Sequence, residues 1–312
     1  MSKPLHHFVP RFYLRQFIDE SRLPSQLVWV YVRGLGPAEL RPLNRVAAEK
    51  GYYTVEYPDG TKSEEVEEQL SRIESQAAIV LRQLNAGRRA LSLEERVTFS
   101  TFVALMFTRG PKFRSDAERV GEAVGRKYTR DLALDPVSFG RKFEEMLGCP
   151  YEHTEALRQA ILSGDYKAKA WGGTIVQMMA IGAQNLDKRL LAMQWSFREA
   201  DPAVPLVTSD SPVVLNTPST VRGRTPAVPD TLEVWFPVSP RLLFIATYNG
   251  HARDGKMSPF TCRQINKGLA LWAHKYVYAP VAVPAFAKHL TEPCTALLLP
   301  RAVESFLCSL GE

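Results

Sequence analysis

The chain has 312 residues, 45% of them hydrophobic and 23% charged, which is the composition of a globular protein with a sizeable core. Its 39 Lys and Arg residues outnumber 33 Asp and Glu residues, and the formal charge of +6 favours polyanionic partners over cationic ones. No apolar run reaches the roughly 20 residues that span a bilayer, and the first residues do not resemble a signal peptide. We therefore expect a cytoplasmic protein without membrane segments.

The N-terminal third, residues 1–62, is predicted to mix strands with one short helix. The segment from Phe12 to Phe17 can form the helix. Segments 26–33 and 51–57 are rich in β-branched and aromatic residues and predict two strands. A turn is expected at residues 58–60, because Pro-Asp-Gly is typical of tight turns.

The middle of the chain, residues 63–190, is predicted to be helical. Ser63 and Ser92 stand where helix N-caps are expected, and Glu95 completes a capping box with Ser92. Apolar residues follow both serines at helical spacing, up to Asn85 and Gly110 respectively. Amphipathic segments within 113–166 and an apolar segment at 173–191 predict further helices.

The C-terminal third, residues 191–312, is strand-rich, with a closing helix near 260–274 and a last strand at 275–279. Strands at both ends of the chain and helices between them predict an α+β fold. We expect one compact domain over residues 1–312, in which a mainly antiparallel sheet from the N- and C-terminal thirds packs on the helical middle segment. The loop at 216–230 is predicted to be mobile and is a candidate contact for a protein partner.

The densest chemistry in the sequence lies at His6 and His7, shortly before Pro10. A turn at the proline would let both imidazoles serve one site, one as a metal ligand and one as a general base. In the alternative interpretation, one imidazole caps backbone groups and the other packs beneath Tyr13 and Phe17.

Two further polar residues are candidates for the same site. Arg109 ends an apolar helix, where it either complements the helix C-terminus or binds a phosphate. Asp210 lies between two predicted strands, where it either forms an Asx turn or acts directly. We expect these segments to converge, so that His7, Arg109 and Asp210 line one pocket.

The leading hypothesis is a phosphodiester hydrolase that acts on nucleic acid or a nucleotide. His7 would be the general base, His6 and Asp210 would be ligands of a divalent metal, Mg²⁺ or Mn²⁺, or orienting groups, and the catalytic cation Arg109, or Arg11, would clamp the phosphate. The substrate-binding candidates are Arg11, Tyr13, Asn44, Lys50 and Ser209. The alternative is a non-catalytic binding or regulatory protein, in which the same motifs hold the fold.

Structural roles suffice for several other polar residues. Asn44 can cap a helical turn through residues 47–48, and Lys50 can form an exposed ion pair with Glu49. Four histidines stand alone without ligand spacing and are expected on the surface or in the core: His153, His251, His274 and His289. Four well-separated cysteines form no CxxC pair and are expected to be reduced and mostly buried: Cys149, Cys262, Cys294 and Cys308.

The sequence lacks the GxGxxG, GxxxxGK[ST], GxSxG and HExxH motifs. Their absence disfavours dinucleotide oxidoreductases, P-loop NTPases, α/β hydrolases and zincins.

Three ordered motifs carry a family resemblance: His6-His7-x-Val9-Pro10-x-x-Tyr13-Leu14-x-x-Phe17, Asn44-x-Val46-x-x-Glu49-Lys50-x-x-Tyr53 and Thr208-Ser209-Asp210-x-Pro212. Over most of residues 5–280 the chain resembles the family called domain of unknown function 4238, a large set of mostly bacterial proteins. The resemblance implies a shared architecture and a shared site, but no mechanism.

Overall fold

The computed structural model describes residues 5–56, 61–63, 65–148, 154–167, 169–216, 232–248, 253–283 and 286–290. The chain divides into two compact units, which are Met1–Arg114 with Val176–Glu312, and Ser115–Ile175. The helices are α1 (Arg11–Leu14), α2 (Glu65–Asn85), α3 (Leu93–Thr108), α4 (Pro111–Ala133), α5 (Pro136–Leu147), α6 (Glu155–Ser163), α7 (Gly172–Ala192), α8 (Pro259–Trp272) and α9 (Phe286–His289). The strands are β1 (Leu5–His7), β2 (Leu27–Val32), β3 (Glu39–Pro42), β4 (Ala48–Lys50), β5 (Val55–Glu56), β6 (Lys62–Ser63), β7 (Gln194–Glu199), β8 (Thr208–Ser209), β9 (Val214–Asn216), β10 (Glu233–Ser239), β11 (Leu242–Thr247), β12 (Gly255–Lys256) and β13 (Tyr276–Ala279).

A four-stranded antiparallel sheet in the first unit joins the two ends of the chain. Its order is β3-β2-β13-β8, so two N-terminal strands pair with two C-terminal ones. The register aligns Glu39, Val30, Tyr278 and Thr208 across the sheet, and side chains opposite each other in such a ladder share a face. The sheet therefore joins the N-terminal strands β2 and β3 to the strand that carries Thr208 and Ser209.

A five-stranded sheet of order β12-β7-β11-β10-β9 completes the strand framework of the first unit. Helix α3 packs on it through Phe99, whose ring contacts four aromatic rings of the sheet: Trp195, Phe197, Phe236 and Phe244. Each such pair contributes about 0.5–1.5 kcal/mol beyond the area it buries. The capping box of Ser92 and Glu95 fixes the start of α3.

Helix α8 supplies a core that both sheets share. Its buried residue Leu269 belongs to one apolar cluster with Leu243 of the five-stranded sheet and Val277 of the four-stranded sheet. Asn266 of the same helix accepts a hydrogen bond from the Val207 N–H (3.0 Å) and donates one to the Pro205 carbonyl (2.9 Å). These two bonds fix the chain just before β8, which carries the Thr-Ser-Asp motif.

The second unit has a small core of its own. Ala133, Phe139 and Ile161 are buried together, and Arg158 donates to the Ala133 carbonyl at 2.9 Å. Asp135 caps α5 by accepting from the Val137 N–H. The helices predicted within 113–166 are therefore present.

The structure confirms the predicted α+β class, with strands from both ends of the chain and helices between them. Among the described strands every pairing is antiparallel except that of β12 with β7. No described helix combines the length and apolar character needed to cross a membrane. The single compact domain over 1–312 stays a prediction.

Two local predictions in the N-terminal third are wrong. Residues 51–53 form a turn rather than a strand, and only Val55–Glu56 is extended, because Tyr52 and Tyr53 are buried instead of alternating between two faces. Asn44 lies inside the 3₁₀ turn Leu43–Arg45 and does not cap a helical turn. Cys262 is buried and free, as predicted. Outside the described residues lie the turn at 58–60, most of the loop at 216–230, His153, His251 and the other three cysteines.

Candidate functional site

The adjacent histidines lie in β1, which pairs antiparallel with β4. His6 is opposite Glu49, and His7 is opposite Ala48. Because consecutive residues of a strand point to opposite sides, the two imidazoles enter different surroundings. The backbone is extended at this pair, and Pro10 precedes α1, so the pair itself contains no turn that would bring both imidazoles to one site.

His6 belongs to the protein interior. It is 3% exposed, its Nδ1 accepts a hydrogen bond from the Tyr53 N–H at 3.0 Å, and its ring stacks on the Tyr53 ring at 5.6 Å. The lone pair of Nδ1 is therefore already used. This contact makes His6 a link between β1 and residues 52–53 and a poor fit to the predicted metal ligand.

His7 is half-buried and keeps a neutral ring. Burial lowers its pKa, the neighbouring Arg11 and Arg109 cations lower that pKa further, and a hydrogen bond to the Asn44 backbone opposes them in part. Its Nε2 is buried and has no hydrogen-bond partner among the described residues. Because His7 Nε2 is buried, neither solvent nor a ligand bound at the surface reaches it.

Arg109 is buried at the C-terminus of α3, with 2% of its surface exposed. Its Nη1 donates to Glu74 Oε1 (2.6 Å), its Nε to the Tyr53 hydroxyl (3.0 Å) and its Nη2 to the His7 carbonyl (2.6 Å). Burial alone would lower its pKa, but Tyr53 and Glu74 raise it overall. All three guanidinium nitrogens donate hydrogen bonds inside the protein. This geometry favours a structural role for Arg109 over the predicted phosphate clamp.

Asp210 is completely buried and fixes the backbone after α8. Its Oδ1 accepts from the His274 N–H (2.8 Å), and its Oδ2 from the Lys275 and Tyr276 N–H groups (2.7 and 2.9 Å). Burial raises the pKa of the carboxyl, while these backbone donors act to lower it. Both oxygens are occupied, so Asp210 does not fit the predicted metal ligand either.

Tyr13 and Ser209 are fully buried and lie beneath the surface that a substrate could reach. The Tyr13 hydroxyl lies 2.7 Å from Thr208 Oγ1 and donates to the Pro237 carbonyl at 2.7 Å. Ser209 Oγ accepts from the Ser211 N–H at 3.1 Å. This geometry favours a structural role for both residues: the Tyr13 hydroxyl joins α1, β8 and β10, and Ser209 holds the chain after β8.

Replacing Tyr13 by Phe tests this structural role. The change leaves Thr208 and the Pro237 carbonyl without a buried partner, so we expect the free energy of unfolding to fall by about 1–3 kcal/mol. Urea denaturation measures it. Tyr128→Phe is the matched control, because Tyr128 is 59% exposed and should be neutral. Equal stability of Tyr13→Phe and the control would contradict the role.

The motif segments do converge in space, as the sequence predicted. Arg109 contacts the His7 backbone, and the next residue, Gly110, lies so close to residue 210 that a Cβ on it would stand 3.0 Å from the Asp210 carbonyl oxygen. Arg109 and Asp210 are buried there, and their side chains are hydrogen-bonded inside the protein. The convergence therefore builds a structural junction between β1, α3 and the Thr-Ser-Asp segment.

A cavity of about 280 Å³ lies beside this junction, between residues 41–49 and residues 274–278. Three cationic side chains and one imidazole line it: Arg41, Arg45, Lys275 and His274. Arg45 and Lys275 are exposed, whereas Arg41 binds Glu39 through Nε (3.1 Å) and Nη2 (2.8 Å). Glu49 is the one acidic residue of the lining with an exposed side chain. Among the lining residues, the three cationic ones therefore outnumber the two acidic ones, Glu49 and the buried Asp210.

The wall of the cavity has two unusual features. Tyr278 is 1% exposed, and its hydroxyl, near the Ala47 backbone, forms no hydrogen bond of acceptable geometry with the described residues. Burial, and then the charge of Asp210, raise its pKa, so it stays a neutral hydroxyl. Ala47 has φ +53, a left-handed conformation that costs a non-glycine residue about 1–2 kcal/mol. Unsatisfied polar atoms and strained backbone are concentrated at binding sites.

Of the nine residues proposed from the sequence, only Asp210 lines the cavity. Arg11, Asn44 and Lys50 are exposed elsewhere. The cationic residues of the cavity were not predicted from the sequence, and His274 was interpreted as an isolated histidine. Their one signal was position, since Arg45 lies inside the second motif, His274 ends the predicted closing helix and Lys275 begins the last predicted strand.

The described residues contain no group of three or more His, Cys, Asp or Glu side chains that could hold a metal ion. His6 and Asp210, the proposed ligands, each hold backbone N–H groups instead. The divalent metal remains a prediction from the sequence, and its proposed ligands do not fit it.

The first unit thus has an α+β fold, in which strands from both ends of the chain lie beside the cavity. A family model described as "Protein of unknown function (DUF4238)" matches residues 5–280. The chain belongs to this family, as its three motifs predicted. No curated protein and no solved structure matches the chain.

Proposed function

We propose that this protein binds a phosphate-bearing ligand, a nucleotide or a segment of nucleic acid, in the cavity lined by Arg45, His274 and Lys275. The carrying observation is that a cavity of about 280 Å³ has three cationic side chains in its lining. Guanidinium and ammonium groups bind phosphate oxygens through charge-assisted hydrogen bonds. The buried Tyr278 hydroxyl supplies a further polar atom, which makes no well-formed hydrogen bond within the part of the chain that the structure describes.

The distribution of charge supports the same ligand class. Residues 115–175 hold nine Lys and Arg against ten Asp and Glu residues, a net charge of −1. The rest of the chain therefore has a net charge of +7, and the two parts add to the total of +6. The cavity therefore lies in the basic unit. A positive field around a cleft attracts anions and raises their association rate.

Direct binding measurements test this function. We expect fluorescence polarisation to detect binding of a rhodamine-labelled single-stranded oligonucleotide, weakening steeply as salt rises. The Arg45→Ala/Lys275→Ala double variant should bind at least about tenfold more weakly at low salt, because each cation loses a charge-assisted contact. A smaller salt dependence should accompany the loss.

The matched control is Arg15→Ala, which removes an exposed cation of the same unit outside the cavity. It should bind as the wild type does. Equal affinity of the wild type and the double variant would remove the cavity from the function. Affinity that does not change with salt would contradict a phosphate contact.

Ligand binding without catalysis is the alternative function considered from the sequence. The geometry favours it over hydrolysis by His6, Arg109 and Asp210. His6, Arg109 and Asp210 use their polar atoms inside the protein. Phosphodiester hydrolysis remains a proposal that needs another base. The cytoplasmic location predicted from the sequence belongs to this proposal, because nucleotides and nucleic acid are abundant there.

A further inference from the structure

His274 has the position and the free polar atoms of a reacting group in the cavity. Its side chain is half-buried and lines the cavity, and its ring forms no hydrogen bond or ion pair with the described residues. The buried Asp210 carboxylate accepts the His274 backbone N–H at 2.8 Å, which fixes the backbone that carries the ring.

The neighbours of His274 supply the other groups that phosphoryl transfer needs. The Lys275 ammonium follows it in the chain and lies 5.3 Å from the Tyr276 ring. Arg45 lines the same cavity. Guanidinium groups stabilise the charge that develops on phosphate oxygens, and an ammonium can protonate a leaving oxygen.

We propose that the cavity cleaves single-stranded RNA by transesterification, with His274 as the general base. This inference rests on the proposed binding function and adds a reaction and a substrate class to it. The ligand is a phosphodiester with an adjacent 2′-hydroxyl, because that hydroxyl is a nucleophile already positioned next to the phosphorus. DNA lacks it and is bound without being cleaved.

The reaction balances without a further reactant. His274 takes the proton of the 2′-hydroxyl, the 2′-oxygen bonds to phosphorus, and the bond from phosphorus to the 5′-oxygen breaks. The leaving 5′-oxygen takes a proton from Lys275, and Arg45 neutralises charge on the non-bridging oxygens. The products are a 2′,3′-cyclic phosphate and a free 5′-hydroxyl, after which water restores both side chains to their starting protonation.

The test uses the full chain, a labelled single-stranded RNA and the DNA of the same sequence. We expect RNA cleavage with a 2′,3′-cyclic phosphate identified by mass spectrometry, and intact DNA. At saturating RNA, His274→Asn should slow cleavage at least about 100-fold, as loss of a general base does, with unchanged melting temperature. His289→Asn, a half-buried histidine outside the cavity, is purified identically and should stay fully active.

Each result decides a separate point. RNA that is bound but not cleaved overturns the inference and leaves the binding function standing. Equal cleavage by His274→Asn and His289→Asn overturns it too, since a contaminating ribonuclease would act in both samples. Cleavage of DNA at the rate of RNA contradicts the 2′-hydroxyl route. Absence of binding to both nucleic acids overturns the inference and the proposed function together.

Discussion

Replacing Arg109 by Ala is expected to cause the largest loss of stability in this protein, about 3–5 kcal/mol. The guanidinium is 2% exposed and joins three parts of the chain. Its removal leaves the Glu74 carboxylate, the Tyr53 hydroxyl and the His7 carbonyl without their donor. An uncompensated charge and two unpaired polar atoms then remain close to the core.

Chemical denaturation measures this loss, with Arg22→Ala as the matched control. Arg22 has the same charge but is 52% exposed and lies 3.6 Å from Asp19, and such exposed ion pairs contribute about 0–1 kcal/mol. If the two variants were equally stable, Arg109 would not hold the junction. A stable Arg109→Ala protein that lost oligonucleotide binding would restore the phosphate clamp predicted from the sequence.

The second large effect is expected for Asp210→Asn, which should lose about 3 kcal/mol or more. The carboxylate accepts three backbone N–H groups with its two oxygens. An amide has one oxygen, and its NH₂ group would face donors, so at least one buried N–H is left without an acceptor. The chain between α8 and β13 should then lose its fixed path.

Thermal melting and denaturation of Asp210→Asn test this expectation. Asp165→Asn is the control, because Asp165 is exposed and its side chain forms no hydrogen bond with the described residues. It should be as stable as the wild type. Full stability of Asp210→Asn would show that the three N–H groups find other acceptors, which would contradict the structural role.

Much of the fold could be predicted because its signals are local. The Ser92 capping box and the apolar spacing after it define α3, and β-branched and aromatic residues define β2. Prediction failed at residues 51–53, where aromatic residues look like a strand. Tyr53 there accepts a hydrogen bond from Arg109 and stacks on His6, so long-range contacts override the local preference.

The site was only partly predictable, for a related reason. The sequence marked the residues that meet, such as His7, Arg109 and Asp210, but not whether they would face solvent. Burial depends on the strands and helices that cover them, and a single sequence carries no local signal for it. Arg45 and His274 line one cavity although they are far apart in sequence. The strand after His274, β13, pairs with β2 and β8, and this long-range pairing has no local signal.

The central claim is that the motif residues hold the fold while the neighbouring cavity binds the ligand. Melting temperature and oligonucleotide affinity, measured together on two variants, test it most directly. We expect Tyr13→Phe to lose stability and keep its affinity at temperatures where it is folded, and Arg45→Ala/Lys275→Ala to keep its melting temperature and lose affinity. The reverse pattern, with binding lost in Tyr13→Phe and retained in the double variant, would contradict the claim.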